Sequence, residues 1–493
     1  MSFDTTGLLE PQKAHSEKLA NSLIENRIAF DGSSTGCGKT FCAAAVLRHL
    51  NRKFVVICPR LAIPQWKTVL ESFGLKAEFI NTLEKLGRGN TAYYKRISPK
   101  KYREIHGLDA TVEIPLFLQG QWKIPLDWVV VLDESHKAKG VETFAAGQLF
   151  NLWDQGYMVH MMSATQATTP LDMRAFGYVI GLHSQGDASE KFRLTKFKEF
   201  CIEAGAEWVG KWGAQFFDSD NPESMAKLDK VRNYLFHERK IASRLSRGDM
   251  AEIFPASQVV MDACDMGKAS DDIQSVYDEM EAELISLEER CENYRDHILA
   301  IITKARRMAE MLKVPTLVEL LSEYYREGHS AVAFLNYTDS IEAVQKRLAD
   351  EFGKDLVGTI YGGQTVANRL KDIADFQLDK KRFIVANLAA GGQCINLHDV
   401  HGIRPRSSVI CPSYLATAVI QSAGRIDRAH AKSSVYQRFL FAARTIEENV
   451  SRRFHHKNTF VSALNDGTLA DSDLIPTKRL FALIGKLDLA AAI

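Results

Sequence analysis

Eight consecutive residues, Ser33-Ser34-Thr35-Gly36-Cys37-Gly38-Lys39-Thr40, set two glycines, a lysine and a hydroxyl in an order that suits a bound polyphosphate. They follow a short apolar run at 28–30 and open a helical pattern near Thr40. Glycines at 36 and 38 let backbone N–H groups close on phosphate oxygens, and a helix N-terminus adds favourable partial charge. In such a loop Lys39 meets the β- and γ-phosphates of ATP, and the Thr40 hydroxyl holds Mg²⁺. The strict G-x-x-x-x-G-K-[ST] pattern has one departure: Ser33 stands at its first position, with Gly32 one residue early. A glycine-rich turn before a helix can arise by chance, but here strand, loop and helix fall in order.

Two further groups could share that chemistry. Asp133-Glu134-Ser135-His136 comes directly after the apolar run WVVVL. A carboxylate at a strand's carboxyl end can reach a metal held by Thr40, and Glu134 can orient and deprotonate an attacking water. On its own, an acidic pair there is as often a helix N-cap. The other group is Gln421-x-x-Gly424-Arg425-x-x-Arg428. Its arginines, at i and i+3, are expected on one face of a helix. Arginines that neutralise charge developing on a γ-phosphate contribute roughly 10³ to 10⁵ in rate. A lone pair of this kind is usually a solvated face. The second half of the chain has no phosphate loop of its own, so these arginines are its expected contribution.

The elements that must position these groups are legible as short apolar runs. Those at 54–58, 128–132 and 157–162 lack strict alternation and are too short for helices, as strands buried on both faces of a parallel sheet are. Helical stretches at 40–50 and 62–73 lie between them. The same grammar returns at 331–335, 382–388 and 408–411, with helices at 340–352 and 416–423. The expected fold is therefore α/β, with two doubly wound parallel-sheet lobes whose ligands bind at the carboxyl ends of the strands. Three segments are expected: a lobe at 1–180, a charge-rich and mainly helical insertion at 181–314, and a second lobe with a short tail at 315–493. Within the insertion, Ile273, Val276, Met280, Leu284, Leu287, Cys291, Tyr294 and Ile298 recur every three or four residues. That stripe predicts one helix about 39 Å long, with a core-facing seam as its simplest use. Pro315 marks entry to the second lobe.

Composition bounds the rest. Lys+Arg number 62 against 61 Asp+Glu, for a net charge of +1, so any nucleic-acid groove must be a local patch. The eight cysteines include no C-x-x-C pair and sit mostly in apolar runs, as reduced core residues do. No run reaches the roughly 18 apolar residues of a membrane span, and no signal pattern opens the chain. The expectation is a cytoplasmic protein, a monomer, with room for a protein partner.

Taken in order, SSTGCGKT, DESH, Ser163-Ala164-Thr165 and QSAGRIDR resemble a DExH-type superfamily-two helicase or translocase. A small residue in place of the first loop glycine is what that superfamily allows. CPRLAIPQW (58–66), DESHKAKG (133–140) and AAGGQCINLHD (389–399) are similar to motifs of the Swi/Snf branch and its phage or viral UvsW-like relatives. The resemblance covers roughly 1–180 and 315–460. It implies tandem RecA-like lobes, ATP with Mg²⁺, and metal contacts from Thr40 and Asp133. Ser33, Thr35, Gly36, Cys37, Gly38, Lys39 and Thr40 would line the nucleotide, with Gln12 near the adenine and Gly392 near the cleft. Ser163, Thr165 and Asn396 would couple hydrolysis to nucleic acid. Arg425 and Arg428 would meet the γ-phosphate, with Gln421 helping to join the lobes. Two departures are Gln166, where a proline is usual, and Cys394, where a glycine is usual.

A DNA-tracking motor is the leading expectation, and an RNA helicase is the alternative, because no motif reports contact with 2′-hydroxyls. A binding or recruitment protein with a vestigial ATPase is a third reading, opposed by the intact set Lys39, Thr40, Asp133, Glu134, Arg425 and Arg428. Two basic clusters could contact phosphates or simply be solvated: Lys95, Arg96, Lys100, Lys101 and Arg103, and Lys304, Arg306 and Arg307. His455 and His456 lack partners at ligand spacing.

Overall fold

The structure, a computed structural model, describes residues 3–89, 91–114, 119–139, 143–167, 169–183, 195–208, 214–217, 221–261, 263–288, 295–388, 395–411 and 416–448. The chain divides into two compact units, one running to Met250 and the other starting at Ala251.

In the first unit, strands β1 (Ile28–Asp31), β2 (Phe54–Ile57), β3 (Phe79–Asn81), β6 (Val129–Asp133), β7 (Met158–Met162) and β10 (Ala242–Ser243) form one parallel sheet. Its spatial order is β10-β1-β7-β6-β2-β3. Two short antiparallel pairs, β4 (Tyr94–Arg96) with β5 (Gly120–Trp122) and β8 (Ala206–Trp208) with β9 (Ala214–Phe217), stand apart from it. The runs IAFD and FVVI are buried at every position, because helices cover both faces of a parallel sheet. Helices α1 (Glu10–Asn26), α2 (Lys39–Leu50) and α3 (Ile63–Ser72) pack there. Strands and helices thus fall where the apolar runs place them, within a residue or two.

The second unit holds another six-stranded parallel sheet. It is made of β11 (Ser257–Val260), β12 (Ser330–Leu335), β13 (Val357–Ile360), β14 (Phe383–Asn387), β15 (Arg406–Ile410) and β16 (Val435–Phe439), in the order β11-β16-β15-β12-β14-β13. Its core joins strand residues such as Ala333, Leu335 and Val385 to Ile341, Val344 and Leu348 of the helix Thr338–Phe352.

The segment 181–314 is shared between the units. β10 pairs with β1 in the first sheet, and β11 pairs with β16 in the second. The apolar stripe from 273 to 298 is not one long helix but two, Lys268–Glu288 and Arg295–Leu312, packed on each other. Ile273 and Tyr277 of the first helix meet Ala309 of the second and Ala442 beyond β16 in one apolar cluster. Pro315 sits in the first turn of the helix Val314–Arg326, where its missing N–H costs nothing. Among the described residues, no helix is long and apolar enough to cross a membrane.

Candidate active site

β1, β7 and β6 are neighbours in the first sheet, so their carboxyl ends stand in a row. The phosphate loop follows β1, Ser163-Ala164-Thr165 follows β7, and Glu134 follows β6, whose last residue is Asp133. Gly36 and Gly38 take φ of 84° and 82°, a left-handed turn that side chains resist. A Cβ at Gly38 would also press on the Gln12 amide, which would have to shift from the loop. Gln12 holds the loop, donating from Nε2 to the Cys37 carbonyl at 2.9 Å while its Oε1 accepts from the Leu9 N–H at 2.9 Å. No side chain caps the N-terminus of α2. The Lys39 ammonium donates to the carbonyls of Ser33 at 2.8 Å and Ser34 at 3.1 Å.

Thr35, Gly36, Lys39 and Thr40 are half-buried on the loop, whereas Ser33 turns beneath it. The Ser33 hydroxyl accepts from the Leu245 N–H at 2.9 Å, and its own N–H donates to Asp31 at 2.9 Å. Its place at the first loop position is therefore structural in this fold, as is that of the buried Cys37 side chain. Asp31 is wholly buried with its Oδ2 3.2 Å from His15 Nε2. Burial pushes that carboxyl up, but the His15 ring, with Lys39 and the Ser33 side chain, holds it well below the usual carboxylate range. His15 continues to Ser243 of β10 at 2.8 Å. His160 of β7 lies nearby, its ring pushed down to about 4 by burial.

Asp133 is fixed on both oxygens. Oδ2 accepts from the Trp66 indole N–H at 2.9 Å, and Oδ1 accepts from the Glu134 N–H at 2.9 Å. Burial and the adjacent Glu134 carboxylate push Asp133 up to about 6, against the pull of the Trp66 bond and the Lys39 charge. Glu134 itself sits in the left-handed region (φ 55°, ψ 49°), a costly conformation for a non-glycine residue. Its Oε2 is 3.2 Å from His136 Nδ1, which lies 3.0 Å from the Ser163 hydroxyl. Ser163 in turn accepts from the Thr165 N–H at 3.1 Å. One chain of contacts thus links the carboxylate to the residues expected to couple it. Gln166, in the usual proline position, accepts from the Ser135 hydroxyl.

In the second unit the helix Ala416–Ala423 ends before the arginines. Arg425 and Arg428 therefore do not share a helix face as expected; they lie in the turn and loop beyond it. Both guanidinium groups still converge on the Ile395 carbonyl, at 3.5 and 3.1 Å. Gln421 and Arg425 are buried, and Arg428 is half-buried. The Asn396 carbonyl accepts from Gln377 at 2.6 Å, and its side-chain oxygen is buried with no hydrogen-bond partner among the described residues. Gly392, Cys394, His455 and His456 lie outside the described residues.

Two known families match in tandem. The type III restriction enzyme res subunit family covers residues 6–167, and the helicase conserved C-terminal domain covers 312–430. The chain is a superfamily-two helicase. A protein of Acanthamoeba polyphaga mimivirus, provisionally named an ATP-dependent RNA helicase, is 29% identical over 483 residues, 95% of this chain and 86% of its own length. Protein CHROMATIN REMODELING 4 of Arabidopsis thaliana is 22% identical over 421 residues, 73% of this chain but only 17% of its own length. Among solved structures, the Sulfolobus solfataricus SWI2/SNF2 ATPase core in complex with dsDNA aligns over 94% of both chains at 16% identity, with a TM-score of 0.36. The helicase has a viral relative and is an ATP-hydrolysing enzyme that binds nucleic acid.

Parts of the expected phosphate-binding surface are already engaged inside the helicase. Arg96 donates to the Gly87 carbonyl at 2.8 Å and lies over the Phe144 ring, and Arg103 donates to the Val112 carbonyl at 2.7 Å. Lys304 pairs with Glu283, and Arg307 with Asp339. Lys95, Lys100 and Lys101 are exposed. Three residues that the motifs do not single out also belong to the site: Trp66, His15 and Arg244. Trp66 closes the CPRLAIPQW run, so the motif already contains it. His15 and Arg244 carry no sequence signal, because only the folded sheet brings them to the loop.

Proposed function

We propose that the helicase hydrolyses ATP to move along or remodel duplex or branched DNA. The observation that carries this reading is the row of strand ends that gathers Lys39, Asp133, Glu134 and Ser163, with Glu134 joined to Ser163 through His136. On it, Lys39 and the N–H groups around Gly36 and Gly38 hold the phosphates. Lys39 exchanges its two carbonyl partners for phosphate oxygens. Glu134 orients the attacking water and takes its proton. Arg425 and Arg428 neutralise charge on the γ-phosphate, and Gln12, already against the loop, faces the base.

The donor set fits a divalent metal. Thr40 offers a hydroxyl at the mouth of the loop. Asp133 is a half-buried carboxylate raised by desolvation and by a second carboxylate next to it, a charge balance that a cation would relieve. Thr40 and Asp133 would hold Mg²⁺, which supplies charge neutralisation for the phosphate oxygens when bound.

The preference for DNA rests on the Swi/Snf character of the motifs at 58–66, 133–140 and 389–399 and on the likeness to Protein CHROMATIN REMODELING 4. An RNA substrate is the second reading, favoured by the name of the mimivirus relative. Equilibrium binding to matched duplex DNA and RNA across a salt series tests the choice. DNA is expected to bind more tightly, with log affinity falling by about 0.9 per phosphate contact for each unit of log salt. Tighter binding to RNA, or a flat salt response, would contradict the reading.

A further inference from the structure

The phosphate loop is also held by a segment some 200 residues further along the chain. Parallel pairing of β10 with β1 aligns Phe30 with Ala242 and Asp31 with Ser243. The ladder runs on past the strand ends into the loop. Gly32 donates to the Ser243 carbonyl at 3.0 Å, Ser34 donates to the Leu245 carbonyl at 2.9 Å, and Leu245 donates back to the Ser33 hydroxyl at 2.9 Å. The first half of the loop is therefore an added rung of the sheet, while its second half makes the glycine turn.

Arg244 stands in the middle of this pairing. Its Nη1 donates to the Gly32 carbonyl at 2.8 Å, and its Nη2 lies 3.2 Å from the Ser34 hydroxyl. A planar guanidinium presents its donors in a rigid fork that fixes the separation of two acceptors, whereas an ammonium on a flexible stem adapts to whatever lies near it. Lys39 holds the carbonyls of Ser33 and Ser34. Two cations thus share three successive loop carbonyls, at 32, 33 and 34. Only one of the two can leave. Lys39 reaches back from the first turn of α2, whereas Arg244 is locked in place by the backbone bonds on either side of it.

We propose that Arg244 is a positioning residue for ATP binding: it keeps residues 32–34 in register while Lys39 changes partners from loop carbonyls to phosphates. Arg244 lies outside both family-matched segments and six residues before the first unit ends. The proposal rests on the loop being the ATP site.

The test compares the full-length helicase with Arg244→Ala, Arg244→Lys and Ser34→Ala, following ATP turnover and the binding of a fluorescent ATP analogue. Arg244→Ala is expected to raise KM and analogue Kd about tenfold while kcat at saturating ATP changes less than about threefold. Arg244→Lys should recover part of the affinity, because an ammonium keeps the charge but lacks the rigid planar fork that fits the Gly32 carbonyl and the Ser34 hydroxyl together. Ser34→Ala should weaken binding about twofold and add nothing once Arg244 is alanine, the non-additivity of two residues in one contact. Unchanged KM in Arg244→Ala, or a fall in kcat alone, would overturn the proposal. Should Arg244→Ala fail to fold, Arg244→Lys decides: affinity below that of the unsubstituted protein supports the positioning role, and equal affinity overturns it. Failure of the unsubstituted helicase to bind the analogue would bring down the ATP-site reading itself, whereas normal binding with an indifferent Arg244 brings down only the positioning role.

Discussion

The two parallel sheets of this helicase use their carboxyl ends differently. In the first unit the strand ends turn their polar groups outward to a site. Asp31 and His15 brace the loop from below, while Lys39, Asp133 and Glu134 face the row above. In the second unit the corresponding ends are tied to one another. Glu310 accepts from the Asn336 N–H at 3.0 and 2.9 Å, from its side-chain amide at 2.7 Å and from the Tyr337 N–H at 3.0 Å. Asn336 also donates to the Cys411 carbonyl at 3.1 Å and accepts from Asn387 at 2.8 Å, so the ends of β12, β14 and β15 meet at one residue. Lys313 and Glu447 add a buried ion pair alongside. One architecture thus serves as a ligand platform in the first unit and as a scaffold in the second. The groups we propose as the second unit's share of the chemistry are the arginines beyond Gly424.

The largest expected effect tests that last assignment. Arg428→Ala should cut turnover by about 10³-fold while leaving nucleotide affinity within about twofold. Turnover that survives unchanged would remove the second unit from the chemistry. Lys39→Ala should lower turnover by about 10² to 10³ and weaken nucleotide binding as well. The contrast between the two is read by setting analogue binding beside steady-state ADP production. In the first unit, Trp66→Phe keeps an aromatic ring but deletes the donor to Asp133. About a tenfold fall in kcat and a higher Mg²⁺ requirement should follow, because a group that orients a metal-binding carboxylate acts through it. A Mg²⁺ titration that superimposes on that of the unsubstituted protein would leave Trp66 with packing alone. Smallest for activity, Glu310→Gln should cost about 2 kcal/mol of stability with ATP affinity unchanged. A denaturation midpoint unmoved by that change, or a weakened ATP affinity, would erase the distinction between platform and scaffold.

Much of the framework was legible because its signals are local. Apolar runs such as VVVLD and SAVAFL must be buried on both faces, and Gly36, Gly38, Lys39 and Thr40 lie within five residues of one another. Contacts set by tertiary pairing were not legible. A two-residue strand, β10, has no periodicity to detect, so nothing in the sequence places Arg244 or Ser243 against the loop. Ser33 fits a nucleotide-lining position in the motif, yet the N–H of Leu245 claims its hydroxyl. The arginine pair looked helical by spacing, but the helix stops at Ala423, before either arginine. The stripe from 273 to 298 spans two helices because apolar spacing alone does not show where a chain breaks between them; Cys291 and Tyr294 lie outside the described residues.

The central claim, a site in the first unit whose ATP turnover is geared to DNA, is tested most directly by one measurement. ATP hydrolysis at saturating ATP is followed without nucleic acid and with duplex DNA, forked DNA, single-stranded DNA and RNA of matched length. Duplex or forked DNA is expected to give the greatest stimulation. Stimulation by RNA alone, or no hydrolysis under any condition, would contradict it.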